Sequence, residues 1–298
     1  PARLCLWEDH RGDVSTCSTT HGRRTKGRSG RYVITSPAPR KRIAVVVNGN
    51  AKAVTEEVLA TLDRILDAGD LFVSRSVREV EEIAQTILDR GYDTVLTGGG
   101  DGTFTCVVTG IVKVARRRSV RPPRFGLLRL GTGNSLAWVV GSSRAAAGRG
   151  LQSDLERVRT DAGVRLLRLV EVEGILAPFC GFGYDANVLS DYLYVRETLR
   201  RLPVPRRWTA GAFSYGLAAG LLSIPKHALK PMPFVRVTNL GGDAYKIDES
   251  GRPLPKPART GERLFEGQAR MVSTSTIPYY GFGFRVFPHA DERPDRMA

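Results

Sequence analysis

Six consecutive residues, Gly98-Gly99-Gly100-Asp101-Gly102-Thr103, lie between an apolar run, Thr94-Val95-Leu96-Thr97, and a segment with helical character from Phe104 to Ala115. A strand that delivers a glycine-rich turn into a helix start points backbone N–H groups at phosphate oxygens. Glycine has no Cβ, so it can take positive φ and let a ligand approach the main chain. The helix N-terminus beyond it adds partial positive charge and free donors. A tight turn without a ligand is the plainer reading, but three glycines in a row before an acid are a costly way to build one. A second loop of the same kind, Leu130-Gly131-Thr132-Gly133-Asn134-Ser135, follows the next apolar run, and Asn48-Gly49-Asn50 ends the first. Open α/β sheets bind ligands outside the carboxyl ends of their strands. Three small-residue loops ending three strands of one sheet can therefore converge on one nucleotide, whereas any one of them alone says little.

The elements that must position these loops are legible from residue 42 onward. Ile43 to Val47 is a continuous apolar run and reads as a buried parallel strand. Val58, Leu59, Leu62, Ile65 and Leu66 fall at helical spacing within 54–66, Leu71-Phe72-Val73 is a short strand, and Val80, Ile83, Ala84, Ile87 and Leu88 form the apolar face of a second helix stopped by Gly91. Asp93 to Thr97 is the strand before the glycine turn. The helix after that turn ends in Arg116-Arg117-Arg118, cations where the helix dipole favours them. This alternation predicts a parallel sheet with helices on both faces and right-handed crossovers. After about residue 163 the pattern turns β-rich, with strands expected within 164–172, at 234–238 and at 269–273, a helix at 209–222 and a long exposed loop over 249–263. The organisation expected is a basic tail (1–41), an α/β nucleotide-binding domain (42–162) and a β-rich domain (163–298).

Composition narrows the classes. At 298 residues with 42% hydrophobic and 25% charged residues, the chain suits one large or two medium globular domains. No apolar run approaches the ~20 residues of a membrane span, and the first 42 residues contain no secretory apolar core. The chain opens on Pro rather than Met, which reads as a processed or incomplete product. Its four cysteines (5, 17, 106 and 180) form no CxxC pair and there are four histidines, so neither a zinc site nor a disulfide framework is expected, and a reducing cytoplasm is the simplest setting. Net charge is +15, of which +7 falls in residues 1–42, with ten Lys or Arg against three Asp or Glu. A solvated leader explains that segment as well as a binding role does. The positive balance over the rest suits an anionic partner: a nucleotide, a lipid surface or nucleic acid.

The motifs resemble the diacylglycerol kinase catalytic family, which includes sphingosine kinases and bacterial lipid kinases. Gly98 to Thr103 matches the family's nucleotide loop, Gly131 to Asn134 its second loop, and Asn134-Ser135-Leu136-Ala137 is most similar to the sphingosine- and ceramide-kinase side. Gly181-Phe182-Gly183-Tyr184-Asp185-Ala186 is similar to the motif that opens the family's lipid-binding domain, and Tyr280-Gly281-Phe282-Gly283 with Pro288 and Ala290 resembles the approach to its last acid. The resemblance implies an ATP-dependent, magnesium-requiring kinase acting on a lipid hydroxyl. It also implies an NAD-kinase/diacylglycerol-kinase-like fold in which a sandwich-like β domain follows the α/β domain, with peripheral attachment to a membrane and a part in phospholipid metabolism. The nucleotide contacts implied are Asn48, Gly98, Gly99, Gly100, Gly102, Thr103, Gly131, Thr132, Gly133 and Asn134.

For Asp101 the resemblance leaves two catalytic roles open, activating the lipid hydroxyl or organising metal, both suited to phosphoryl transfer. Capping the helix that follows is the structural alternative. Asp185 either contacts substrate or stabilises its own turn. Asp295, or Asp291, stands where relatives carry a further catalytic acid, but Asp295-Arg296 replaces the family's Asp-Gly pair. Asn48-Gly49 replaces Asn-Pro, Arg129 replaces the Pro before Leu-Gly and brings a cation beside the phosphate site that either contacts phosphate or faces solvent, and the chain stops where relatives have a further strand or two. Arg196, Arg200, Arg201, Arg206, Arg207 and Trp208 form a basic segment that could rest on anionic headgroups or simply face solvent. NAD kinases and phosphofructokinases share a glycine-glycine-Asp-Gly loop but their other motifs are missing. A non-catalytic nucleotide or lipid binder is the reading from another class. Nucleic acid binding lacks a module and interleaved aromatics.

Overall fold

In a computed structural model of the chain, the residues described are 4–6, 41–131, 134–143, 149–160, 164–203, 212–280, 283–290, 292 and 297–298. The chain divides into two compact units, one made of Pro1–Phe179 with Ser275–Ala298 and the other of Cys180–Thr274. The sequence places its boundary at 162/163. By contacts the first unit runs on to Phe179 and takes back the last segment of the chain.

The first unit alternates strands and helices. After β1 (Leu4–Leu6) come β2 (Ile43–Asn48), α1 (Glu56–Ile65), β3 (Leu71–Ser74), α2 (Val77–Asp89), β4 (Thr94–Gly99), α3 (Asp101–Arg118), β5 (Arg124–Arg129), α4 (Ser135–Val140), α5 (Arg149–Arg159) and β6 (Val164–Leu166). The sheet order is β3-β2-β4-β5-β1-β6. Strands β3, β2, β4 and β5 are parallel, while β1 runs antiparallel to β5 and parallel to β6. Leu4–Leu6, in the segment expected to be a basic tail, is thus part of the sheet. A hairpin, β7 (Val170–Val172) with β8 (Ile175–Ala177), completes the unit's strands.

Both faces of the sheet are covered, which is why its strands read as unbroken apolar runs. Along β2 the side chains alternate between two cores. Ala44 and Val46 join Val80, Ala84 and Ile87 of α2 and Phe104, Val107, Val108 and Ile111 of α3 on one face. Ile43, Val45 and Val47 join Val58 and Leu62 of α1 and Leu151, Leu155 and Val158 of α5 on the other. Caps start the helices where the apolar spacing begins: Thr55 Oγ1 accepts from Val58 N at 3.3 Å and Ser76 Oγ from Glu79 N at 3.2 Å. Helix α3 ends on Ser119 in the left-handed region (φ 55°), behind its three arginines.

The second unit begins in β9 (Phe179–Gly183) and continues through α6 (Tyr184–Arg201), α7 (Ala212–Ala218), a π-helical turn (Ala219–Ser223), α8 (Ile224–Leu229), β10 (Phe234–Thr238), β11 (Arg263–Gln268) and β12 (Met271–Ser275). β10 pairs antiparallel with β11, and β12 pairs with β9. Antiparallel strands therefore follow the parallel α/β region, as the sequence pattern expects, and a three-helix segment precedes most of them. The strand expected at 269–273 is displaced to Met271–Ser275, because Ala269 N–H still bonds Pro233 O and so extends the pairing of β11 with β10. The helix expected at 209–222 is observed from Ala212 and widens into the π turn at Ala219. Among the described residues no helix is long and apolar enough to cross a membrane.

Candidate functional site

Strands β2, β4 and β5 end together. Val47 pairs with Gly98, Gly98 with Leu128 and Gly99 with Arg129, so the three small-residue loops leave the same edge of the sheet. Asn48 joins its own loop to the Gly98–Thr103 loop: its Nδ2 donates to Thr103 Oγ1 at 3.2 Å, while its Oδ1 accepts from Asn50 N at 2.9 Å.

The glycines earn their places by close packing, with no left-handed backbone among Gly98, Gly99, Gly100, Gly102 or Gly131. Gly98 and Gly99 are still strand residues. A Cβ on Gly98 would lie 2.6 Å from Val47 Cγ1, and one on Gly99 would lie 2.6 Å from Thr103 Cβ. A Cβ on Gly131 would fall onto Gly100 N and Cα and lie 2.7 Å from Gly99 C, so the two glycine loops touch main chain to main chain. Gly102, in the first turn of α3, is different: a Cβ there meets nothing within 4 Å, which leaves open space beside the helix start. The positive φ expected of the glycines falls instead on Asn134 (φ 46°), only 4% exposed. Its Oδ1 accepts from Gly131 N at 3.2 Å and its Nδ2 donates to Gly131 O, which closes the second loop.

Asp101 is the first residue of α3, whose N-cap, Gly100, has no side chain to cap with. The structural alternative, in which Asp101 caps its own helix, is not what is found. Its carboxylate reaches the other loop: Ser135 N–H donates to Oδ2 at 2.8 Å and Leu136 N–H to Oδ1 at 3.1 Å. Both donors belong to the first turn of α4, which is otherwise held by burial of Leu136, Ala137 and Val140. Arg129, expected beside phosphate, lies with its guanidinium 4.7 Å over the ring of Trp138 on α4. Trp138 is 44% exposed and sits 6.3 Å from the ring of Tyr279.

Asp185 belongs to the second unit. It stands in the first turn of α6, beyond Gly183 (φ 80°), and its carboxyl lies against Gly181, where a Cβ would be 2.7 Å from Asp185 Cγ. Its charge acts on Cys180 and on Tyr215. Burial pushes the Cys180 thiol up and the Asp185 charge adds to the rise, and burial followed by Asp185 and Tyr184 does the same to the Tyr215 phenol. Thr132, Gly133, Asp291, Asp295, Arg206, Arg207 and Trp208 lie outside the described residues.

Sequence reasoning missed Arg75. It follows β3, its carbonyl accepts from Asn50 Nδ2 at 2.8 Å, and its side chain lies over Gly49, placing an exposed cation at the loop edge. The signal was an arginine two residues after the apolar run Leu71-Phe72-Val73. Among the described residues no group of three or more His, Cys, Asp or Glu could hold a metal ion.

Comparison with known proteins finds a family model that matches the segment carrying these loops. Residues 42–162 match the family model of the diacylglycerol kinase catalytic domain, which bears out the resemblance carried by the motifs. No curated protein matches the chain. Solved structures similar to it include a diacylglycerol kinase from Bacillus anthracis str. Sterne, at 14% identity over 84% of this chain and 69% of that one, with a TM-score of 0.44. Another protein of that organism, provisionally described as a diacylglycerol kinase, is 15% identical over 85% of this chain and 69% of its own, with a TM-score of 0.47.

Proposed function

We propose that this chain, whose residues 42–162 match the diacylglycerol kinase catalytic domain, transfers the γ-phosphoryl group of ATP to the hydroxyl of a diacylglycerol or sphingoid-type lipid. The observation that carries the reading is the convergence of Asn48, Gly98 to Thr103, and Gly131 with Asn134 on one edge of a parallel sheet, inside the matched segment. Phosphoryl transfer asks a protein mainly for positioning and charge neutralisation. The open space at Gly102 and the N-terminal turn of the 18-residue α3 suit a phosphate, because that turn has backbone donors without partners inside the helix. Magnesium ATP, when bound, supplies the transferable group with part of its charge already neutralised. The chain's own part is to hold the phosphates on the α3 turn with Thr103 and Asn48, to bring the second loop alongside, and to receive the lipid hydroxyl. Asp185, in the second unit, is the substrate contact in this reading. Asp295 is retained as a second acid from the resemblance.

The test is transfer of labelled phosphate from ATP, with magnesium, to diacylglycerol, ceramide and sphingosine presented in mixed micelles. Labelling of one lipid by the wild-type chain is expected and names the acceptor. ATP binding without transfer to any of the three would overturn the kinase reading in favour of a nucleotide-binding relative.

A further inference from the structure

We infer that Asp101 is a positioning residue, the latch that holds the second glycine loop against the first, rather than the group that takes the substrate proton. This rests on the nucleotide-site reading above and assigns the acid within it a different task.

The geometry is specific. The second loop leaves β5 at Gly131 and enters α4 at Ser135, and both ends are fixed to the first loop. Gly131 sits on the main chain of Gly99 and Gly100 so closely that no side chain fits between them. Four residues later, the N–H groups of Ser135 and Leu136 both donate to the Asp101 carboxylate. Asn134 bridges the two ends through its contacts with Gly131. The anchored turn is also buried, since Asn134, Ser135 and Leu136 are all shielded from solvent. Removing the carboxylate would leave two donors without their partner, and a helix of six residues has little internal bonding to hold its own start.

A general base needs an oxygen directed at the substrate hydroxyl. Here each oxygen of Asp101 is already directed at a backbone donor of α4, 34 and 35 residues away. The consequence is a coupling between loops. Whatever orders the α3 turn around a phosphate also sets the position of the second loop, because Asp101 lies in that turn and grips α4.

Asp101→Asn, Asp101→Ala and wild type distinguish the two roles. The Asn side chain keeps the volume and one acceptor but presents an NH2 to the other donor. As a latch, Asp101→Asn should raise the KM and Kd for ATP about ten-fold and Asp101→Ala about a hundred-fold, in the range of lost charge-assisted hydrogen bonds, with kcat lowered by much less than either. As a base, Asp101→Asn should lower kcat by a hundred-fold or more and leave ATP affinity unchanged, and that result would overturn the inference. Hydrogen exchange read at the α4 amides is the independent arm: the latch requires faster exchange at Ser135 and Leu136 in Asp101→Asn at unchanged exchange in the sheet, and unchanged exchange at α4 would also overturn it. Wild-type protein that binds no ATP would sink the nucleotide reading instead, with the exchange comparison still deciding the latch.

Discussion

At the residue scale, two glycines of the same motif system carry opposite expectations. A methyl at Gly131 has nowhere to go, because it meets main chain rather than the end of a flexible side chain. Gly131→Ala should therefore force the two loops apart, lower the melting temperature and weaken ATP binding together, at a cost of about 1–3 kcal/mol in stability. A methyl at Gly102 meets open space in a helical turn. Gly102→Ala should leave the melting temperature unchanged or slightly raised, since alanine is the better helix former by about 0.5–1 kcal/mol. If a phosphate lies against that turn, the same methyl obstructs it and ATP affinity falls. Thermal melts and calorimetric titration of both variants decide the matter: a Gly102→Ala protein that binds ATP as well as wild type would remove the α3 turn from the phosphate site. The types and spacing of these residues were legible in the sequence, but the reason for each was not. Gly98 and Gly131 answer to neighbours brought in by the sheet, Val47 and Gly100, while Gly99 answers to Thr103 one helical turn on, and the partners of Asp101 come from a loop separated by a strand and a helix.

At the scale of elements, legibility followed burial. Strands β2 and β4 were readable because each is an uninterrupted apolar run buried on both faces, and helix α2 because it buries a regular stripe at the helical period of 3.6. Helix α6 was missed because its apolar residues do not form one stripe: Val188 and Val195 are buried while Leu189, Leu193 and Tyr194 face outward. Its start depends on Gly183 in the left-handed region, and its register on a tertiary ion pair. That pair is Asp191 of α6 with Lys226 of α8, Nζ to Oδ1 at 2.6 Å, and Ser223, at the end of the π turn, donates to Oδ2 at 2.8 Å. The Lys226 ammonium holds the Asp191 carboxyl below its usual value, against the effect of burial and with help from Ser223 and the neighbouring His227. A carboxyl lowered in the folded state stabilises that state above its unfolded value of ~3.9, and the contribution fades as pH falls through the folded value. Asp191→Asn should therefore melt a few degrees below wild type at pH ~5.5, and the gap should close as pH is lowered toward ~2.5. Asp248 and Glu266, also lowered, are common to both proteins and cancel in the comparison. A gap that stays constant over that range would mean that the side chain matters for its shape and not for its charge.

At the scale of the whole molecule, the lipid substrate proposed above would have to be met without a described helix fit to span a membrane. Two features of its surface suit contact with an anionic bilayer. The net charge is +15. In the helical part of the second unit, large apolar side chains face solvent: Leu189 (54% exposed), Leu193 (45%), Tyr194 (67%) and Leu229 (87%), with Phe213, Leu221 and Ile224 among the others. The exposed charges interleaved with them are mainly cationic, Arg200, Arg201 and Lys230 against Glu197, and Glu197 is paired with Arg201. Apolar side chains and cations acting together are the combination that holds a protein at an interface, because either signal alone binds weakly. The full chain should therefore sediment with vesicles of phosphatidylglycerol and much less with phosphatidylcholine, and raising salt from about 0.05 M to about 0.5 M should weaken the binding as screening shortens. The two contributions separate by substitution. Arg200→Ala with Lys230→Ala should lose binding chiefly at low salt, each cation being worth ~1 kcal/mol or about five-fold. Leu189→Ser with Leu193→Ser should lose it at both salts, since apolar contact is not screened. Equal binding to neutral and anionic vesicles would mean that the charge does not face the membrane, and no binding to either would remove the bilayer from the reading while leaving the nucleotide site to its own tests.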